Sequence, residues 1–208
     1  MYDGIIFDID GTLWDSRKVV ADSWNAAIAE HTTYNLKFDY EEIGKLFGKP
    51  MNEIFKLLFG DIDDYEVERL TDLLYNYEKH YLDMYPPSLY DGVYDTLCEL
   101  SKKYKLYIVT NAQKGYIEKL FSAGGICPFF TDWLCFGDTN APKDVTLRKI
   151  IERNNIQSPV YIGDTKGDAD ACQKAGIPMI YASYGLGNVE KPEFEIDDIR
   201  KLPDLLDK

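Results

Sequence analysis

Two carboxylates one residue apart, Asp8 and Asp10, open the chemistry of this chain in the run Phe7-Asp8-Ile9-Asp10-Gly11-Thr12. Alternate residues of an extended segment share a face, so both acids can approach one pocket, and Gly11 permits a sharp turn beside them. Further along stand Thr110-Asn111, then Lys143, then Asp164 and Asp168 in Gly163-Asp164-Thr165-Lys166-Gly167-Asp168. Several carboxylates crowded together repel unless a divalent cation binds them. Oxygen-only donors with room for water favour Mg²⁺ over zinc or copper. A calcium loop of the EF-hand type is excluded, because its sixth position would be Leu13 rather than Gly and no Glu stands at the twelfth.

These groups need elements to bring them together. Each follows, or lies beyond, a short apolar run: Ile5-Ile6-Phe7, Leu106-Tyr107-Ile108-Val109, Leu134-Cys135-Phe136 and Val160-Tyr161-Ile162, with Met179-Ile180-Tyr181 as a fifth. Continuous apolar runs suit parallel strands covered on both faces. Helical spacing separates them: Val93, Leu97, Leu100 and Tyr104; Ile117, Leu120 and Phe121; Leu147, Ile150 and Ile151. The alternation predicts an α/β fold with a doubly wound parallel sheet, and ligands of such sheets gather beyond the carboxyl ends of the strands. Lys143 is expected on a loop after the third of these runs.

One stretch departs from the alternation. From Asp15 to Met84 only helical patterns occur, with one stripe at Val20, Trp24, Ala27 and Ile28 and another at Leu70, Leu73, Leu74, Tyr77, Tyr81 and Met84. Between them Phe47-Gly48-Lys49-Pro50 reads as a turn and Gly60-Asp61 as a helix end. The chain is therefore expected to divide into a helical insert, 15–84, and a core made of 1–14 and 85–208. The tail from Lys191 is expected to end in a short helix or loop.

The whole chain sets limits on this chemistry. Its 208 residues suffice to bury a core without disulfides, and 45% hydrophobic with 28% charged residues is ordinary for a globular protein. Asp and Glu number 36 against 23 Lys and Arg, a net charge of −13, which argues against nucleic acid as a ligand. A small anionic substrate would need local cations, and a bound metal is the obvious candidate. No apolar run reaches membrane-spanning length, and the N-terminal run carries acids where a secretory leader would carry bases, so no membrane association is expected. Cys98, Cys127, Cys135 and Cys172 form no CxxC pair, as expected of reduced thiols in a cytoplasmic protein. There is no GxxxxGK[ST] loop, Gly185-Leu186-Gly187 reads as an ordinary loop, and His31 and His80 fall within the insert as surface or structural residues.

FDIDGTLWDS, IVTNAQKG, Lys143 and YIGDTKGDAD together resemble the four motifs of the haloacid dehalogenase-like hydrolases, nearest the phosphoglycolate phosphatase and β-phosphoglucomutase branch. The insert resembles that family's small helical cap, so the likeness spans essentially the whole chain. The resemblance implies a Mg²⁺-dependent phosphatase acting on a small phosphate ester, phosphoglycolate being the substrate suggested by the branch name. Asp8 would be the nucleophile, and Asp10 the acid and then the base. Asp8, the Asp10 main-chain carbonyl and Asp164 would hold the metal, with Asp168 in support or as a further ligand. Thr110, Asn111 and Lys143 would bind the phosphoryl group, while Gly11 and Thr12 would shape the loop and offer a backbone N–H. Lys49, in a cap turn over the site, would meet an anionic part of the substrate. The pattern departs from many relatives at the third motif, where Lys143 follows Pro142 instead of preceding a proline. Retention of Asp10 disfavours dehalogenation. A phosphosugar mutase using the same phosphoaspartate and a catalytically silent phosphate-binding protein are the alternatives.

Overall fold

Strands buried on both faces must be apolar at every position, and the runs identified above become the interior of one parallel sheet. The computed structural model describes residues 2–49 and 51–207. The first strand, β1 (Gly4–Phe7), lies between β2 (Lys105–Thr110) and β4 (Pro159–Gly163), in the order β3-β2-β1-β4-β5-β6. β3 is Phe130–Cys135, β5 is Met179–Ala182 and β6 is Phe194–Ile196, and every pairing is parallel. Successive side chains point to opposite faces. Ile5, Phe7, Leu106, Ile108, Val160 and Ile162 enter one apolar cluster, whereas Ile6, Tyr107, Val109 and Tyr161 enter the other.

The order of strand addition reverses between β1 and β4, the parallel neighbours that lead to Asp8 and Asp164. Doubly wound sheets open a crevice at such a point. Before the sheet resumes, the chain forms four helices: α1 (Arg17–His31), α2 (Tyr40–Gly44), α3 (Met51–Phe59) and α4 (Asp64–Met84). They are followed by α5 (Val93–Leu100), α6 (Tyr116–Gly124), the one-turn α7 (Phe136–Thr139), α8 (Lys143–Asn154), α9 (Lys166–Ala175) and α10 (Leu202–Leu206). Val20, Trp24, Ala27 and Ile28 are all buried, as the first stripe predicts.

Several local expectations need correction. The buried positions of α4 are Leu70, Leu74, Glu78 and Leu82, a strict four-residue repeat, while Met84 is exposed. An acid therefore occupies a place that an apolar stripe would reserve for a hydrophobe. The third strand ends at Cys135, and Phe136 begins α7. Lys143 does not lie on a loop: it is the first residue of α8, with Pro142 preceding it, and it is buried. A sixth strand, Phe194–Ile196, forms within the tail. Pro50 of the cap turn lies outside the described residues.

Candidate active site

Two residues past the end of β1, the Ile9 carbonyl fixes the next turn by accepting hydrogen bonds from the N–H groups of Thr12, Leu13 and Trp14. Gly11 makes the turn possible, with φ of +82°. A Cβ there would stand 2.1 Å from Asp164 Oδ2, so this glycine also allows the first and fourth motifs to touch. The Gly11 N–H is donated to the Trp14 carbonyl and the Thr12 N–H to Ile9. Neither amide is left for a substrate, so both residues act here through the shape of the loop.

Asp8, Asp164 and Asp168 come together at the carboxyl ends of β1 and β4, each contributing an oxygen within 4.8 Å of the other two. All three are buried. Asp164 Oδ2 accepts from the Leu186 N–H at 2.7 Å and the Gly187 N–H at 3.3 Å. Asp168 is fully engaged. Its Oδ1 accepts from Lys143 Nζ at 2.6 Å and Tyr161 OH at 3.2 Å, and its Oδ2 accepts from Thr165 N and Oγ1 at 3.0 and 2.6 Å. Asp8 is different. Its Oδ1 lies 3.2 Å from Lys143 Nζ, yet among the described residues no donor is aimed at this buried atom in hydrogen-bonding geometry.

Electrostatics separate these acids. Burial raises Asp8 to about 7, with Asp168 and Asp10 adding repulsion and Lys143 opposing them. Burial, together with Asp168 and Asp8, raises Asp164 to about 8. Asp168 stays below its usual value because Lys143 and the Thr165 donors outweigh its burial. Lys143 also touches Tyr161 OH at 3.1 Å, so its charge is held between two carboxylates and a phenol. A cation binding between Asp8 and Asp164 would satisfy the orphaned Asp8 oxygen and relieve the repulsion that raises both groups. The all-oxygen donor set suits Mg²⁺. Asp168, with both oxygens committed, is placed to hold Lys143.

Asp10 lies above this floor. Trp14 Nε1 at 2.9 Å, Ser16 Oγ and Tyr116 OH at 2.6 Å all donate to its Oδ1. These three bonds oppose the effect of burial, which still leaves its carboxyl raised. Asp10 lines a cavity of about 80 Å³ together with Asp8, Thr110, Asn111 and Lys143. The opposite wall comes from the helical segment: Val20, Trp24, Leu46, Met51, Ile54, Tyr75 and Glu78, with Lys49 exposed at the mouth. Thr110 is buried at the end of β2, and Asn111 Nδ2 donates to the Gly48 carbonyl at 3.0 Å, tying the turn of the insert to the core.

Of the site residues read from the sequence, Asp8, Asp10, Lys49, Thr110, Asn111 and Lys143 line this cavity, Asp164 and Asp168 cluster with Asp8, and Gly11 lies against Asp164. Sequence reasoning missed Tyr116, Trp14 and Ser16 as partners of Asp10, Tyr161 as a partner of Lys143, and Glu78. It also read the Gly185 to Gly187 segment as an ordinary loop. The available signal was Gly185 and Gly187 themselves, since a Cβ on either would stand within 2.5 Å of the Asp164 segment or Gly11.

The haloacid dehalogenase-like hydrolase family matches residues 5–182. A phosphoglycolate phosphatase of Agrobacterium fabrum is 30% identical over 217 residues, covering 98% of this chain and 92% of its own length. The pyrophosphatase PpaX of Oceanobacillus iheyensis is 26% identical, covering 95% of this chain and 94% of its own. Among solved structures, a haloacid dehalogenase-like family hydrolase from Streptococcus pneumoniae superposes with a TM-score of 0.85 at 21% identity, covering 99% of this chain and 98% of that one. No helix among the described residues is long and apolar enough to cross a membrane.

Proposed function

The chain belongs to the haloacid dehalogenase-like hydrolases, and we propose that it is a Mg²⁺-dependent phosphatase that hydrolyses a small phosphomonoester through an aspartyl phosphate. The observation that carries this reading is the buried Asp8 carboxylate, with one oxygen unpartnered among the described residues and facing Lys143 at 3.2 Å where it lines the cavity. A carboxylate so placed is desolvated and held for attack, and covalent catalysis divides one difficult hydrolysis into two easier steps.

In the first step an Asp8 oxygen attacks phosphorus, the phosphorus–oxygen ester bond breaks, and protonated Asp10 gives its proton to the leaving oxygen. In the second, Asp10 takes a proton from water as that water attacks the aspartyl phosphate, which releases phosphate and restores Asp8. The raised pKa of Asp10 suits both duties. Trp14, Ser16 and Tyr116 fix Asp10 by one oxygen, leaving the other for the reacting groups. Lys143, anchored by Asp168 and Tyr161, balances charge on Asp8 and on the transferring group. Thr110 and Asn111 hold phosphoryl oxygens at the end of β2. Asp8, the Asp10 main-chain carbonyl and Asp164 would hold Mg²⁺, which when bound would supply positive charge to the transferring phosphoryl group; Asp168 supports this set through Lys143. Residues 15–84 act as a cap on a core of 1–14 and 85–208, in a cytoplasmic protein.

Phosphate release from an aryl phosphate, with Mg²⁺ and with excess chelator, tests the reading. Turnover should require Mg²⁺, and a sugar phosphate should yield free phosphate instead of an isomer. Full activity in the chelator would remove the metal from the reaction, and isomer formation would replace phosphatase by mutase.

A further inference from the structure

Glu78 is the one residue of the cavity's helical wall that combines a charged side chain with burial, at 7% exposed, among the described residues. It takes a core position on α4 between Leu74 and Leu82. Its Oε2 accepts from Trp24 Nε1 at 3.2 Å, and among the described residues no other hydrogen-bond donor is directed at the carboxyl. Tyr75 stands one turn away on the same wall, and Val20, Met51 and Ile54 complete an apolar surround. A buried carboxyl with no charged partner is costly and is kept only where something uses it or where it stays protonated.

We propose that Glu78 selects the substrate's non-reacting end, and that this end is uncharged and carries a hydroxyl. The inference rests on the phosphatase reading above and narrows its substrate class.

An anionic end would enter a low-dielectric wall where Glu78 offers no positive charge, and where Asp10 already presses on Glu78. The buried cation of the site, Lys143, is committed to Asp8 and Asp168 on the opposite side. Lys49, which also lines this cavity, is exposed and borders the outer groove beside Thr165 and Lys166. Burial raises Glu78 to about 8, which favours its protonated form. A protonated carboxyl offers one donor and one acceptor, which is what a hydroxyl group needs. It could give a carboxylate one hydrogen bond, but would leave that anion's charge without a counter-ion. An ammonium group would force Glu78 to ionise in a site that resists it.

Three esters with the same two-carbon chain separate these cases: 2-hydroxyethyl phosphate, 2-phosphoglycolate and 2-aminoethyl phosphate. The wild-type protein should show kcat/KM at least tenfold higher for the hydroxyethyl ester than for either of the others. Glu78→Gln keeps an acceptor for Trp24 and a neutral donor for the hydroxyl, and should keep the preference for the hydroxyethyl ester to within about threefold. Glu78→Leu, which restores the apolar repeat of α4, should abolish the preference for the hydroxyl. A merely structural Glu78 would lower all three values together, which would overturn the proposal. Equal or better turnover of 2-phosphoglycolate or 2-aminoethyl phosphate by the wild type would also overturn it while leaving the phosphatase reading intact. Failure on all three and on an aryl phosphate would overturn both.

Discussion

Asp10 receives three hydrogen bonds on one oxygen, and this concentration makes its two-stage role testable. Tyr116 donates to the carboxylate, so it stabilises the ionised form and opposes the upward push of burial. Tyr116→Phe should therefore raise the pKa of Asp10 and move the pH–rate limb governed by it to higher pH. A hydrogen bond to a charged group is worth about 1.5–3 kcal/mol, so kcat should fall by roughly tenfold or more. A purely packing role would lower kcat with the pH profile unmoved. Lys49 offers a contrast. It is exposed at the mouth, where an ion contact is worth at most about 1 kcal/mol. Lys49→Ala should lower kcat/KM less than tenfold and for all phosphate esters alike, because the group it can reach during entry is the phosphoryl group. A loss confined to esters with a second anion would place that anion at the mouth. The acids of the motifs were legible in the sequence because type and spacing are unusual there. Tyr116 and Glu78 were not, since a tyrosine or an acid within a helix reads as packing or as solvent-facing until the opposite wall is known.

At the scale of elements, the strands were legible because burial on both faces removes polar alternation, and Ile5 to Phe7 or Val160 to Ile162 then stand out. β6 and the start of β3 were obscured by Glu195 at the edge and by Thr131 and Asp132, which interrupt the apolar runs. The Leu186 and Gly187 amides that hold Asp164 were invisible for another reason: they act through the backbone. The insert meets the core through the turn at Gly48. Its φ is +79°, and a Cβ there would stand 2.8 Å from Thr165 Oγ1. Gly48→Val should force the turn off Thr165 and weaken the Asn111 contact, at a cost of about 1–3 kcal/mol for the backbone. For a chain of this size that corresponds to a fall in Tm of roughly 2–12 °C. Activity at a temperature well below Tm should fall tenfold or more, because the cavity loses its closing wall. Unchanged kcat/KM despite a lower Tm would show that this contact serves only stability.

For the whole molecule, the net charge of −13 and the buried acids couple stability to pH and metal. Asp8 and Asp164 are raised to about 7 and about 8, far above the value of about 3.9 expected in an unfolded chain. A carboxyl whose pKa is raised on folding binds protons more tightly in the folded state. Its stabilising effect is present below the unfolded pKa and is lost as pH rises through the folded one. Without metal, these two groups should make Tm fall from about pH 5 to pH 8; Glu78, raised to about 8, acts in the same direction. Mg²⁺ binds the ionised forms, so the gain in Tm on adding it should grow over this interval and be small in Asp164→Asn. A gain that shrinks with pH would contradict the placement of the metal between these acids. The most direct measurement follows the phosphoryl group itself. Intact protein is mixed with a ³²P-labelled phosphate ester and Mg²⁺, quenched in acid during turnover, and digested for peptide mapping. The label should sit on Asp8, be discharged by hydroxylamine as an acyl phosphate, and be absent from Asp8→Asn. Turnover with no label on the protein, or label on any other residue, would contradict an aspartyl phosphate at Asp8.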